Sequence, residues 1–360
     1  MSNARTGTVA GMKRDRSGYA MGFAAALLFG ISAPAAKLLL DDIGPQLLAG
    51  LLYLGAFLAV APITRFGPSR HEARLRRADL PALTGLIVAG GIVAPVLLMV
   101  GLERVSGITG SLLLNLEGPL TLIVGVAIVG EFLGMKSWVG STVIFGACAL
   151  LTAQGSTGNA DVLGGVLIVA ACLGWAIDNN LTQRLSVRDP FQIVTVKTGV
   201  AATVNITLAV VRGATLTSWV AVPAALLLGA LAYGISILLD AYALRLLGAA
   251  REAAIFATAP FAGALLAAPL LGDTWGATEV AAAGLMAVGA AMLITDRHQH
   301  LHTHQPIDHD HRHEHDEHHQ HDHLPGVDPA ATHSHPHRHD SLTHAHAHVS
   351  DVHHRHEHSD

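Results

Sequence analysis

Residues 104–119 read RVSGITGSLLLNLEGP, and residues 245–260 read RLLGAAREAAIFATAP. Arg, Gly and Pro recur without a gap at a constant offset of 141 positions: 104 to 245, 107 to 248, and 119 to 260. The correspondence continues outward in both directions. Downstream, Gly130-Glu131 is echoed by Gly272-Asp273; upstream, Gly30 matches Gly174 at an offset of 144. The chain is internally duplicated, and what is duplicated is apolar.

Of the 360 residues, 51% are hydrophobic and 14% charged, with a mean hydropathy of +0.44. Soluble domains carry about 25% charged residues, so a soluble enzyme is a poor fit. A helix that crosses a bilayer needs ~20 mostly apolar residues, because each backbone polar group must be satisfied within the segment. Ten such runs are predicted, at about 19–40, 45–64, 80–101, 107–130, 136–154, 161–184, 190–211, 220–245, 250–271 and 276–295. The expected fold class is an all-α integral membrane protein of ten transmembrane helices. It divides into an N-terminal segment 1–18, a five-helix repeat over 19–154, a second over 161–295, and a tail over 297–360. Five is odd, so the two halves cross the membrane in opposite orientations. Inverted repeats of this kind are built to rock about a central site.

Lys13, Arg14 and Arg16 before an apolar run, with Ala33-Pro34-Ala35 after it, imitate a signal peptide. The run continues to Leu40 and has a counterpart in the second half, which favours a retained first span. Small residues at four-residue spacing (Gly18, Gly22, Ala26, Gly30) predict close helix approach there. Lys and Arg set the orientation. With the N-terminus in the cytoplasm, fifteen of them collect at cytoplasmic ends and loops and two, Arg104 and Arg212, lie opposite. Both termini are then cytoplasmic, in the inner or plasma membrane. Cys148 and Cys172 lie in apolar runs and offer neither a disulfide framework nor a metal knuckle. No basic domain remains to suggest nucleic acid.

Several stretches resemble a known family. They are Phe29-Gly30-Ile31-Ser32-Ala33-Pro34-Ala35-Ala36-Lys37, Ser111-Leu112-Leu113-Leu114-Asn115-Leu116-Glu117-Gly118-Pro119 and Gly130-Glu131 in the first half. In the second they are Leu247-Gly248-Ala249-Ala250-Arg251-Glu252, Ala259-Pro260-Phe261 and Leu271-Gly272-Asp273. In order, spacing and duplication these are similar to the EamA type of the drug/metabolite transporter superfamily, over residues 19–295. The resemblance implies a ten-helix transporter with a central cavity, commonly exporting amino acids, other metabolites or toxic compounds. It does not fix the substrate, and the tail lies outside it.

An ionisable residue at the bilayer centre costs at least ~2.5–3.5 kcal/mol, so it normally faces a cavity or a partner. Glu117, in the middle of the fourth span, is the first substrate or proton candidate, against the alternative of a protonated carboxyl bonded to a neighbouring helix. Asn115 lies two residues before it, and helix positions i and i+2 do not share a face, so the two are not expected to address one ligand. Pro119 frees a backbone carbonyl near Asn115, and Pro260 repeats it. The repeat counterpart of Glu117 is Thr258, so the site is not symmetric. Orientation places Asp178, Asn179, Asn180, Lys197 and Asp240 in one layer. There Asp178, Lys197 and Asp240 are expected to neutralise one another, either as a gate or as a static network. Lys37 is expected to snorkel. Glu103-Arg104 and Arg251-Glu252 read as interfacial anchors, and Trp175, Trp219 and Trp275 as interface markers.

The tail holds 23 of the 24 histidines, four Arg and eleven acidic residues, and no aromatic residue. Its histidines are His298, His300, His302 and His304; His309, His311, His313 and His315; His318, His319, His321 and His323; His333, His335, His337 and His339; His344, His346 and His348; and His353, His354, His356 and His358. With too few apolar residues for a core, this tail is expected to be disordered. Neutral imidazole with interleaved carboxylates suits Ni²⁺, Co²⁺, Zn²⁺ or Cu²⁺, so the tail is expected to bind divalent transition metal. A soluble extension and a pH-responsive element are the alternatives.

The function these observations favour is a secondary transporter exporting a small metabolite. No P-loop is present, and transport requires no cofactor. A transporter of Ni²⁺, Co²⁺ or Zn²⁺ (or a metal chelate) with the tail as sensor or collector is the alternative, and a membrane-tethered metal buffer a further one. The expected partners are the lipid bilayer and a small-molecule or metal-ion substrate, with a homodimer left open.

Overall fold

The computed structural model describes residues 3–66, 73–129, 133–153, 162–185, 188–247, 249–296, 298–303, 307–313, 333–339 and 343–348. Ten helical runs among them are long and apolar enough to cross a membrane. In chain order they are span 1 (Arg16–Leu39), span 2 (Pro45–Phe66), span 3 (Arg77–Leu102), span 4 (Gly107–Ile128), span 5 (Met135–Ala153), span 6 (Val162–Arg184), span 7 (Pro190–Val211), span 8 (Ala221–Leu244), span 9 (Arg251–Leu271) and span 10 (Ala277–Thr295). Caps set several of the ends. Ser106 accepts from the Thr109 amide before span 4, Asp189 accepts from the Phe191 and Gln192 amides before span 7, and Gly272 closes span 9 at φ 73°.

The packing pairs carry the duplication into three dimensions. Span 2 packs on span 7, span 4 on span 9 and span 5 on span 10, while span 1 packs on span 8 and span 3 on span 6. Adding five to each number returns the same set, as a two-fold relation between halves requires. The small-residue stripe of span 1 faces spans 8 and 9. A Cβ on Gly18 would meet the Leu247 side chain, and one on Gly30 would strike the Ala259 carbonyl. Glycine lets the backbones approach where lipid supplies no hydrophobic drive to associate.

Five of the ten spans are not continuous α-helix. Span 1 breaks at Ile31, ahead of Pro34. Spans 3 and 8 each contain a wide π turn, at Ile87–Val93 and Ala230–Ile235. Span 4 tightens to a 3₁₀ turn at Leu114–Leu116, and span 9 opens into a turn at residues 257–258. Both of these lie just before a proline, Pro119 or Pro260, whose ring cannot donate to the turn behind it.

Ten crossings put the start of span 1 and the end of span 10 on one face. On the opposite face the halves are tied loop to loop. Ile43 bridges Leu216, the Gly44 amide donates to the Thr215 carbonyl at 2.9 Å, and the Ile108 amide donates to Asp273 Oδ2 at 3.1 Å. On the face of the termini, Arg188 pairs with Asp79 at 2.8 Å and the Ser137 amide donates to Asp296 Oδ2 at 3.0 Å.

The tail backbone traces two antiparallel ladders, 298–303 with 343–348 and 307–313 with 333–339. Two-stranded ladders without a core are marginal in water.

Candidate functional site

A cavity of about 550 Å³ lies among spans 1, 4, 5, 6, 8, 9 and 10, four of them broken. Both halves line it. Phe29, Asn115, Glu117 and Asn179 come from spans 1, 4 and 6; Asp240, Glu252 and Phe256 from spans 8 and 9; Leu293 and Asp296 from the end of span 10. Asp240, Glu252 and Asp296 lie where their spans approach the face of the termini, and Glu117 lies mid-span, so the cavity runs from the middle of the bundle toward that face. Its lining contains four carboxyl side chains (Glu117, Asp240, Glu252 and Asp296) and, among the described residues, no Lys, Arg or His.

Glu117 opens the helical segment that follows the 3₁₀ turn of span 4. Its Oε1 accepts from Asn179 Nδ2 at 2.9 Å. Thr121, one turn on, donates to the Glu117 carbonyl at 2.8 Å and lies 3.4 Å from the same Asn179 amide. Asn180 donates to the Thr121 carbonyl at 2.9 Å. The polar stretch 178–180 of span 6 therefore divides its side chains: Asn179 and Asn180 go to span 4, and Asp178 turns away. Asn115 and Glu117 do line one cavity, contrary to the divergence expected of a regular helix, because the 3₁₀ turn at Leu114–Leu116 rewinds the chain between them. Asn115 also serves that turn, its Nδ2 donating to the Leu112 carbonyl at 2.9 Å.

A second polar centre is built around the π turn of span 3. A π turn widens the helix and leaves carbonyls for outside donors. Gly90 O accepts from Tyr53 OH at 2.7 Å and from Trp175 Nε1 at 3.1 Å, and Gly91 O accepts from Asn205 Nδ2 at 3.3 Å. Asp178 packs against Gly90, where a Cβ would collide with its carboxylate, and it forms an ion pair with Lys197. Thr182 donates to the other Asp178 oxygen at 3.2 Å.

Three expectations need correction here. Asp240 does not join Asp178 and Lys197, which pair with each other; it lies with Glu252 on the cavity wall. Glu252 is not an interfacial anchor, being 9% exposed, whereas its neighbour Arg251 is exposed. Trp175 is likewise no interface marker: it is buried and holds the Gly90 carbonyl, while Trp219 is 79% exposed. Lys37 donates to the Leu102 carbonyl at 2.6 Å, stitching span 1 to the end of span 3. Beside it, outside the spans, partial burial raises the Glu103 carboxyl above the ordinary carboxylate range against the pull of Arg104 and Lys37. Pro119 and Pro260 both lie on the cavity wall. The tail histidines fall partly within the two ladders and partly outside the described residues.

Among the described residues, no group of three or more His, Cys, Asp or Glu is arranged to hold a metal ion. Asn205, buried beside the π turn with its Oδ1 unpartnered, and Glu252 are the polar residues that sequence reading missed.

Comparison with known proteins agrees with this architecture. An uncharacterized transporter of Methanothermobacter thermautotrophicus is 29% identical over 296 residues, covering 77% of this chain and 85% of its own length. A protein of known crystal structure shares the fold at a TM-score of 0.56 and 19% identity, covering 77% of this chain and 95% of its own. Residues 16–153 and 162–295 both match the EamA-like transporter family. The two matched segments together take in all ten spans, and the chain belongs to the EamA-like transporter family.

Proposed function

We propose that this transporter exports a small metabolite by alternating access, with the cavity around Glu117, Asn115 and Asn179 as its binding chamber. The observation that carries this reading is the cavity itself. Both repeats line it, and it reaches from mid-span to the face of the termini. Two five-span halves of opposite orientation can exchange the roles of their two ends. The excess of Lys and Arg on the face of the termini supports a cytoplasmic location for both ends. In this reading the observed state faces inward.

The tail binds Ni²⁺, Co²⁺, Zn²⁺ or Cu²⁺ through its histidines in this proposal. One observation favours metal as cargo: the tail leaves span 10 at Asp296, on the wall of a cavity rich in carboxylates. The sparse ligand geometry within the spans argues for an organic cargo instead.

Four strains separate these readings: vector, full-length chain, residues 1–296 alone, and full-length chain with Glu117→Gln. Metabolites in cells and medium are profiled by mass spectrometry, and cellular nickel, cobalt and zinc are measured under mild metal load. A metabolite released by the full chain and by 1–296, and retained by Glu117→Gln, supports the proposal. A metal shifted by full-length chain and 1–296 but not by Glu117→Gln makes metal the cargo. Bound metal raised only by chains with the tail assigns metal to the tail alone. No shift in any solute overturns transport through this cavity.

A further inference from the structure

The tail sets its histidines in mirror order. Triplets at every second position fall at 298, 300, 302 and 309, 311, 313, and again at 333, 335, 337 and 344, 346, 348. The step between triplets, 302 to 309 on one side and 337 to 344 on the other, is the same. The backbone lays the two sides of the mirror against each other. In one ladder His298 stands opposite His348, His300 opposite His346 and His302 opposite His344. In the other His309 stands opposite His337, His311 opposite His335 and His313 opposite His333. Partner positions add to one constant in both ladders, so both belong to a single hairpin register. A slip of one residue in either direction would leave none of these six rungs with a histidine on both strands. Alternation puts the three rungs of a ladder on one face of it. Opposite positions on a face are about 4.5–5.5 Å apart at Cβ, and successive rungs lie about 6.6 Å along the strand. Two adjacent rungs therefore bring four histidine positions around one point, the number of ligands a closed tetrahedral zinc site takes.

We propose that the tail is a zinc-folded hairpin, in which one Zn²⁺ held by two adjacent histidine rungs closes each ladder. The inference rests on the reading that the tail binds transition metal, and adds which histidines act and what binding does to the chain. No set of three or more ligands is preassembled among the described residues, so the ion assembles its site as it folds the strands. Two-stranded ladders are marginal alone, and the metal supplies the missing stability. Zinc suits the task because its filled d shell imposes no geometry against that of the ladder. Each ladder has three histidine rungs, enough for one four-coordinate ion and a spare. The middle rung is indispensable: both adjacent pairs in a ladder include it, His300 with His346 in one and His311 with His335 in the other. Either end rung is replaceable. Folding returns His348 to the side of His298, two residues past Asp296 on the cavity wall. The loaded tail is thus a compact body rooted at the rim of the chamber.

The test uses the purified full-length chain in detergent, with Zn²⁺ alone as the probe. Bound zinc is counted by elemental mass spectrometry, and amide hydrogen exchange is read segment by segment. Zinc is expected to slow exchange on the order of tenfold in 298–303, 307–313, 333–339 and 343–348, and a chelator to reverse it. Two exchanges of neighbouring residues keep the composition of the tail and remove one middle rung each. His346→Ala with Ala347→His is expected to abolish the slowing in 298–303 and 343–348 and to leave the other ladder protected. His335→Ser with Ser334→His is expected to do the converse. Moving an end rung, by His348→Val with Val349→His, is expected to preserve protection in both. All these positions lie outside the ten spans, so the membrane bundle is not at stake. Zinc bound without slowed exchange overturns the hairpin and leaves the tail a loose metal binder. Slowing that survives both middle-rung exchanges, or that is lost equally in the end-rung exchange, also overturns it. A chain that binds no zinc sinks the metal-binding reading of the tail together with the hairpin.

Discussion

The two halves of the bundle agree in where their helices break and disagree in what they place at the breaks. Spans 3 and 8 carry π turns at matching positions, with Gly91 and Gly234 separated by 143 residues. Spans 4 and 9 both interrupt their helices just before a proline. Spans 1 and 6 part company. Span 1 breaks ahead of Pro34, whereas span 6 runs unbroken from Val162 to Arg184 and holds the buried Asp178 at the position that matches Pro34 at the offset of 144. Side chains diverge further: Glu117 faces Thr258 across the repeat, and Glu252 answers to Ser111. Shared breaks are what a mechanism needs to bend in two directions, since π turns and prolines are where helices flex. Unshared side chains are what a ligand without two-fold symmetry needs. In the proposed mechanism the duplication supplies the motion, and the divergence supplies the chemistry.

Four substitutions probe that division. The largest effect is expected at Lys197→Met, which strips a buried carboxylate of its counter-charge on the side of span 6 that has no equivalent in span 1. Breaking such a pair costs about 3 kcal/mol, toward the low end for buried ion pairs because Lys197 keeps 18% exposure. Thermal unfolding in detergent reads the loss, and Asp178→Asn added to Lys197→Met is expected to recover part of it. Next come Pro119→Ala and Pro260→Ala, which return an amide to each break. Both are expected to stabilise the fold by about 0.5–2 kcal/mol while flux falls, the usual trade between rigidity and activity. Equal losses of flux at the two prolines support equivalent hinges; a loss at one alone breaks the comparison. The smallest change in stability is expected at Glu117→Thr, which makes the first half resemble the second. It removes one hydrogen bond to Asn179, worth about 1 kcal/mol in unfolding, and is expected to abolish transport out of proportion to that loss.

Much of this was legible in the sequence because hydropathy and depth are one-dimensional quantities. Ten apolar runs, the offset of the repeat and the mid-span position of Glu117 follow from counting residues. Azimuth does not. Asp240 and Lys197 fall in one layer, yet Asp240 lines the cavity while Lys197 pairs with Asp178, and layer alone does not reveal it. Glu252 adjoins Arg251 at the mouth of a span, where a charged pair ordinarily marks the lipid surface. Neighbours on a helix point about 100° apart, so one faces water while the other enters the cavity. Trp175 misled for a related reason: its polar N–H finds the Gly90 carbonyl of a π turn, and such turns have no residue signature beyond Gly90-Gly91 and Gly234. The joint cavity position of Asn115 and Glu117 was hidden by the same assumption of a regular helix.

Asp296 belongs at once to the cavity wall, to the cap of span 10 and to the root of the tail. Its carboxylate accepts the Ser137 amide, so the point from which the tail departs is fixed to the start of span 5 as well. His298 follows two residues later. A metal ion taken up by the proposed histidine sites is therefore tethered to the rim of the chamber, and the encounter between them becomes intramolecular. Effective concentrations for such tethered partners reach the millimolar range, set by chain length rather than by the amount of metal in solution. Supplying residues 297–360 as a separate peptide would preserve every ligand and abolish that advantage.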